Sequence, residues 1–182
     1  MVRLTCHPET PARRSFSIDV DAAISEYRQL VLSFELRGDI DGIVVPPPVR
    51  YAQRSDGLWQ TTCFEAFVRG DDDRYVEVNL SPSTAWAAYT FDIYRGEPNL
   101  PTADAPPIDV DREAGLLRLR SSVDLSGIDL LDGHDVWLAN LTAVIEETDG
   151  TKSYWALKHP PGKPDFHHPD CFALELPAAS AP

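Results

Sequence analysis

The stretch Cys63-Phe64-Glu65-Ala66-Phe67-Val68-Arg69-Gly70-Asp71-Asp72-Asp73-Arg74-Tyr75-Val76-Glu77-Val78-Asn79-Leu80 decides the fold. Its apolar residues recur at every second position, the period of a strand rather than of a helix. Gly70 to Arg74 supply turn chemistry between two such runs. A one-residue slip in pairing would turn every side chain over, so the pattern itself selects the register. With an odd-numbered connection, Phe64, Ala66 and Val68 share a face with Val76, Val78 and Leu80. An even one mixes the two sets and buries carboxylates in the core. The odd count is therefore expected, and it predicts an opposite face bearing Cys63, Glu65, Phe67, Tyr75, Glu77 and Asn79.

The same period extends outward along the chain. Leu30, Leu32, Phe34 and Leu36 alternate with Val31, Ser33, Glu35 and Arg37. Trp137, Ala139, Leu141, Ala143 and Ile145 form one set and Leu138, Asn140, Thr142 and Val144 the other. Tyr89, Phe91 and Ile93 alternate with Thr90, Asp92 and Tyr94. Further strand candidates are 16–20, 108–111, 116–123, 153–158 and 171–176, and the run from Trp59 reads as the start of the strand ending at Val68. Residues 21–29 read as a short helical turn. Thr148-Asp149-Gly150-Thr151 is a hairpin signal, because Asp-Gly tolerates the positive φ of tight turns. Sixteen prolines crowd the intervening loops, where the missing N–H interrupts no ladder. About ten strands at hairpin spacing predict an all-β fold. The expected architecture is a single domain over residues 1–182, a two-sheet antiparallel β-sandwich of jelly-roll type.

Composition narrows the function classes. The chain has 182 residues, of which 43% are hydrophobic, enough to build a core. Its net charge of −13 disfavours nucleic acid, since binding phosphates requires Lys and Arg to replace their counterions. The same charge disfavours an anionic membrane surface, and no apolar run approaches the ~20 residues of a spanning helix. Residues 1–25 carry Arg3, Glu9, Arg13, Arg14, Asp19 and Asp21 with no apolar segment, so the expected location is the cytoplasm. Cys6, Cys63 and Cys171 form no C-x-x-C pair and read as free thiols.

Two constellations carry chemistry. The first is Trp59 to Glu65, followed by Tyr75, Glu77, Asn79, Ser81-Pro82-Ser83 and Trp86. Flat aromatics beside carboxylates and amides suit a sugar, whose C–H faces pack on rings while its hydroxyls take hydrogen bonds. The alternatives are core or edge aromatics with solvated glutamates, and a hydrolase using Glu65 and Glu77 as paired carboxylates. The second constellation is the proline-stiffened segment His159-Pro160-Pro161-Gly162-Lys163-Pro164-Asp165-Phe166-His167-His168-Pro169-Asp170. It reads as a rigid loop, a ligand-contacting loop, or a metal site built from His159, His167, His168 and Asp165 or Asp170. Adjacent histidines point to opposite sides of a chain, which argues against a metal. Haem would require an axial His, Met or Cys, and Met1 is the single methionine, leaving haem held through one histidine. No cofactor and no metal are expected. Nucleotide, zinc-protease and serine-hydrolase motifs are absent.

The stretches 58–67, 75–82, 86–89 and Tyr94-Arg95, with 153–157 and 159–167, resemble bacterial DOMON-like proteins, relatives of the family-9 carbohydrate-binding modules. The resemblance runs roughly from Tyr27 to Leu176, and the order Trp, Glu, Tyr-x-Glu-x-Asn, Ser-Pro, Trp is its most specific part. It implies a sandwich that binds sugars or, in other branches, haem through axial Met and His. It further implies stacking by Trp59 and hydrogen bonds accepted by Glu65 from sugar hydroxyls, with Glu77 and Asn79 on the following strand and Trp155 as a candidate second stacking residue. No apolar leader of the kind the secreted modules carry is expected, and the 159–168 loop lies outside their pattern. The expected function is non-catalytic binding of a small carbohydrate. The expected ligand residues are Trp59, Glu65, Glu77, Asn79, Trp86, Arg95, Trp155, His159, Lys163, Asp165 and His167. The alternatives are a glycoside-processing enzyme, a haem binder, or a module that docks a protein partner through the proline-rich loops.

Overall fold

Two-residue periodicity becomes antiparallel strand along nearly the whole chain. The computed structural model describes residues 1–178, and among these it contains eleven strands. They are β1 (Val2–Cys6), β2 (Phe16–Ile24), β3 (Gln29–Gly38), β4 (Cys63–Arg69), β5 (Tyr75–Leu80), β6 (Trp86–Phe91), β7 (Ile108–Glu113), β8 (Leu116–Asp124), β9 (Val136–Glu146), β10 (Lys152–Ala156) and β11 (Leu174–Pro177). The only helical segments among the described residues are 3-10 turns of three residues each.

The strands follow one hydrogen-bonded path, β6-β5-β4-β9-β10-β1-β2-β3-β8-β7, with β11 also paired to β9. β1 is the bridge, pairing with β10 through Thr5 and Cys6 and with β2 through Val2 to Leu4. The all-antiparallel expectation therefore holds, and the sheet doubles over so that its two halves share one core. Phe34 of β3 and Phe64 of β4 meet there with ring centroids 5.0 Å apart. Ile18, Val20 and Leu32 from one half pack in the same cluster as Ala66, Val78 and Leu141 from the other.

The register read from the sequence is the one observed. Phe64 pairs with Leu80, Ala66 with Val78 and Val68 with Val76, around the five-residue connection 70–74. Two local expectations are corrected. Residues 21–29 form no helical turn, because β2 continues to Ile24 and a tight turn follows. In that turn Ser25 N–H donates to Gln29 O at 2.9 Å and Arg28 N–H to Ser25 O at 3.0 Å. The run beginning at Trp59 is no strand until Cys63, since Leu58–Gln60 form a 3-10 turn entered through Gly57 at φ +74°.

Candidate functional site

The face of β4, β5, β6 and β9 that turns away from the core is not bare. Phe67, Tyr75, Phe91 and Val144 form a second apolar cluster there, closed by Phe166 and Phe172 from the 157–173 segment. Asn140 of β9 pins that segment by donating from Nδ2 to the Phe166 carbonyl at 2.9 Å. Between this cover, the 56–60 turn and the 93–100 loop lies an open cavity of about 750 Å³.

Glu65 and Glu77 look into the cavity from neighbouring strands. Glu65 is cross-strand partner to Asn79, and Glu77 to Phe67, which makes the two glutamates diagonal neighbours. Glu65 is 2% exposed and Glu77 6%. Among the described residues, Glu65 takes one protein hydrogen bond, from Thr142 Oγ1 to Oε2 at 2.9 Å. Burial, reinforced by the Glu77 charge, pushes the Glu65 carboxyl up to about 8. Glu77 Oε1 accepts from Asn79 Nδ2 at 2.6 Å. Burial raises Glu77 as well, against the pull of that hydrogen bond and of Arg95.

His167 sits edge-on to Phe67, Tyr75 and Phe91. Tyr75 Oη accepts the Arg95 N–H at 3.3 Å and lies 2.8 Å from His167 Nδ1. The assignment that gives the Tyr75 proton a partner sends it to Nδ1, which leaves the ring hydrogen on Nε2. His167 Nε2 lies 3.9 Å from Glu77 Oε2. Burial and then Arg95 hold the imidazole down to about 4, so it is neutral near pH 7.

Arg95 occupies the left-handed region at φ +52°, in the turn closed by Gly96 N–H to Ile93 O. Its guanidinium grips Asp165 Oδ1 from Nη2 at 2.8 Å and from Nε at 3.1 Å. Tyr94 Oη also donates to Asp165. Burial opposes ionisation of Asp165, and these hydrogen bonds outweigh it and hold the carboxyl below its ordinary range. At the rim, Trp59 is 51% exposed. Across from it Tyr89 donates to Asp56 Oδ1 at 2.6 Å, and Asp56 is paired with Arg54 at 2.9 Å.

Of the residues expected at a site, Trp59, Glu65, Glu77, Arg95 and His167 line this one cavity. Asn79 and Asp165 stand behind it, one holding Glu77 and the other Arg95. Trp86 and Trp155 do not belong there, and their expected stacking role is corrected. Trp86 pairs with the inward Leu80 and Trp155 with the inward Ala143, so both rings point into the main core. Trp86 is 6% exposed and Trp155 7%, and Trp155 Nε1 donates to Ser153 Oγ at 2.9 Å. His159 is also displaced: its Nε2 lies 2.7 Å from the Thr5 carbonyl and its ring stands edge-on to His7. Lys163 lines an adjoining hollow of about 450 Å³ with His168. The sequence reading missed Tyr89, Tyr154 and Phe166 as cavity walls. Tyr154 was signalled by parity, since it pairs with the outward Val144. Phe166 carried no periodic signal because it comes from a loop. Among the described residues, no three His, Cys, Asp or Glu side chains converge to hold a metal ion. No described helix is long and apolar enough to cross a membrane.

This fold is shared with solved carbohydrate-binding proteins. A protein from Bacteroides uniformis, provisionally assigned to carbohydrate binding, superposes with a TM-score of 0.63 at 14% identity, over 97% of this chain and 85% of its own. A family-9 carbohydrate-binding module from Caldicellulosiruptor kristjanssonii, in complex with cellotriose, superposes with a TM-score of 0.55 at 8% identity, over 97% and 82%. At these identities the likeness is one of fold. No protein-family model matches the chain, and no curated protein matches it in sequence.

Proposed function

We propose that the chain binds a small carbohydrate, without turning it over, in the cavity on the outer face of β4, β5 and β9. One observation carries this reading: a cavity of about 750 Å³ has aromatic walls, a half-exposed tryptophan at its rim and two buried carboxylates in its floor. Trp59 supplies the face on which a sugar ring stacks. Glu65 and Glu77 accept from hydroxyls, and Arg95 donates. The Caldicellulosiruptor module supports the reading, because a protein of this fold holds cellotriose. The two-sheet jelly-roll description and the kinship with DOMON-like proteins belong to the same proposal. They rest on the fold likeness and on the residues 58–67 and 75–82.

The test is calorimetric titration with cellotriose and a panel of short oligosaccharides. Trp59→Ala is expected to weaken binding of the best ligand by about tenfold or more, roughly 1.4 kcal/mol. Its circular dichroism should match the parent, because Trp59 packs in neither apolar cluster. Unchanged affinity would remove Trp59 from the site, and no binding across the panel would remove the function.

A further inference from the structure

The floor of the cavity is short of positive charge. Three ionisable carboxylates line it, Asp56, Glu65 and Glu77, against one cation, Arg95. Arg95 is committed to Asp165 through two hydrogen bonds, and Asp56 has its own partner in Arg54. His167, the nearest basic ring to Glu77, is neutral and 3.9 Å away. Glu65 and Glu77 are thus left nine-tenths buried or more, facing one hollow, with a hydroxyl and an amide as their hydrogen-bonding protein partners. With no cation committed to them, the two carboxyls cannot both carry charge at small cost, which is why Glu65 keeps its proton near pH 7; a cation seated between them would let both ionise.

The walls point the same way. Phe67, Tyr89, Phe91, Tyr154 and Phe166 surround these carboxylates. Aromatic faces carry negative potential and attract a cation as well as the C–H face of a sugar. A protonated amine has three N–H donors and one positive charge, which matches a pair of carboxyls that become acceptor-only once it ionises them inside an aromatic box.

We propose that the ligand of this cavity is an amino sugar, whose ammonium group seats between Glu65 and Glu77 while its ring stacks toward Trp59. The proposal rests on the carbohydrate-binding reading and narrows it to a cationic class. Charge complementarity is what separates this ligand from a neutral sugar of the same shape.

The matched probes are cellotriose and the trimer of β-1,4-linked glucosamine, which share a backbone and differ at one substituent per ring. Titrations are run near pH 7, close enough to the Glu65 value of about 8 for a bound ammonium to draw off its proton. The glucosamine trimer is expected to bind at least about tenfold more tightly than cellotriose. In Glu77→Gln the ratio of the two affinities should fall towards one, with thermal melting confirming that the variant folds. Cellotriose binding as tightly as the trimer, or more tightly, overturns the amine while leaving the carbohydrate reading intact. A preference that survives in both Glu65→Gln and Glu77→Gln overturns the placement between these two residues. Binding of neither probe overturns both readings. If Glu77→Gln does not fold, the comparison of the two trimers on the parent protein still decides.

Discussion

The two faces of β4 and β5 come from the same eighteen residues and have opposite characters. The inward face carries Phe64, Ala66, Val68, Val76, Val78 and Leu80, all in the main core. The outward face carries Glu65, Phe67, Tyr75, Glu77 and Asn79, and each of these is buried too. A solvated outer face would leave its glutamates in water. Here the 157–173 segment and the neighbouring loops cover them, so alternation produces two interiors, one apolar and closed, the other lined by carboxyls and open. The closed face holds the fold, and the open one stores electrostatic cost that a ligand can relieve.

That contrast predicts a graded set of effects. The largest belongs to the closed face: Phe64→Ala removes a ring packed against Phe34 and should cost roughly 3–5 kcal/mol in denaturant unfolding. A smaller loss, typical of an exposed position, would mean that the halves of the sheet do not share this core.

Next comes the pH dependence of the open face. Glu65 is raised from 4.5 in the unfolded chain to about 8 in the fold, so the native state binds its proton more tightly. Stability is therefore present at low pH and declines as pH rises from about 4.5 to about 8, by an amount on the order of a few kcal/mol. His167 has the opposite sign. Lowered from 6.5 to about 4, it contributes stability that is lost as pH falls between those values. Between about 6.5 and 8 only Glu65 of the two titrates. Glu65→Gln should flatten the stability profile in that window, and a slope that persists would place the titration elsewhere.

Smaller still is Tyr75→Phe, which removes the hydroxyl between the Arg95 N–H and His167 and should cost about 1 kcal/mol. Its more telling readout is the His167 imidazole, whose NMR titration should move from its parent position. The smallest effect is that of Lys163→Ala, outside the cavity, which should change stability by no more than about 0.5 kcal/mol and leave the affinity for the best ligand unaltered.

Register was the legible part of the molecule. The alternation around Gly70 to Arg74 separates the two faces from sequence alone, because only one parity keeps Glu65 and Glu77 out of the core. The same counting was available for the tryptophans. The connection 81–85 is also odd, so Trp86 falls with Leu80, and the odd connection 147–151 puts Trp155 with Ala143. Residue type alone suggests indoles as stacking platforms, but strand parity places both of these rings inside. β1 was missed although Val2, Leu4 and Cys6 alternate with Arg3 and Thr5, because five residues near a terminus give a weak periodic signal. What no local pattern could supply is the cover. The contacts of His167 with Tyr75, of Asp165 with Arg95 and of Phe166 with Phe67 join positions 70 or more apart. Proline stiffening announces that such a loop is rigid but not where it docks.

The most direct test of the outer-face cavity is an amide chemical-shift map of the isotope-labelled protein, titrated with cellotriose and with the glucosamine trimer. Perturbations are expected at Trp59, Glu65, Glu77, Arg95, Tyr154 and His167, with the inward residues Ala66, Val78 and Leu141 unmoved. Shifts centred instead on Lys163 and His168, or spread along β7 and β8 with the cavity silent, would contradict the account.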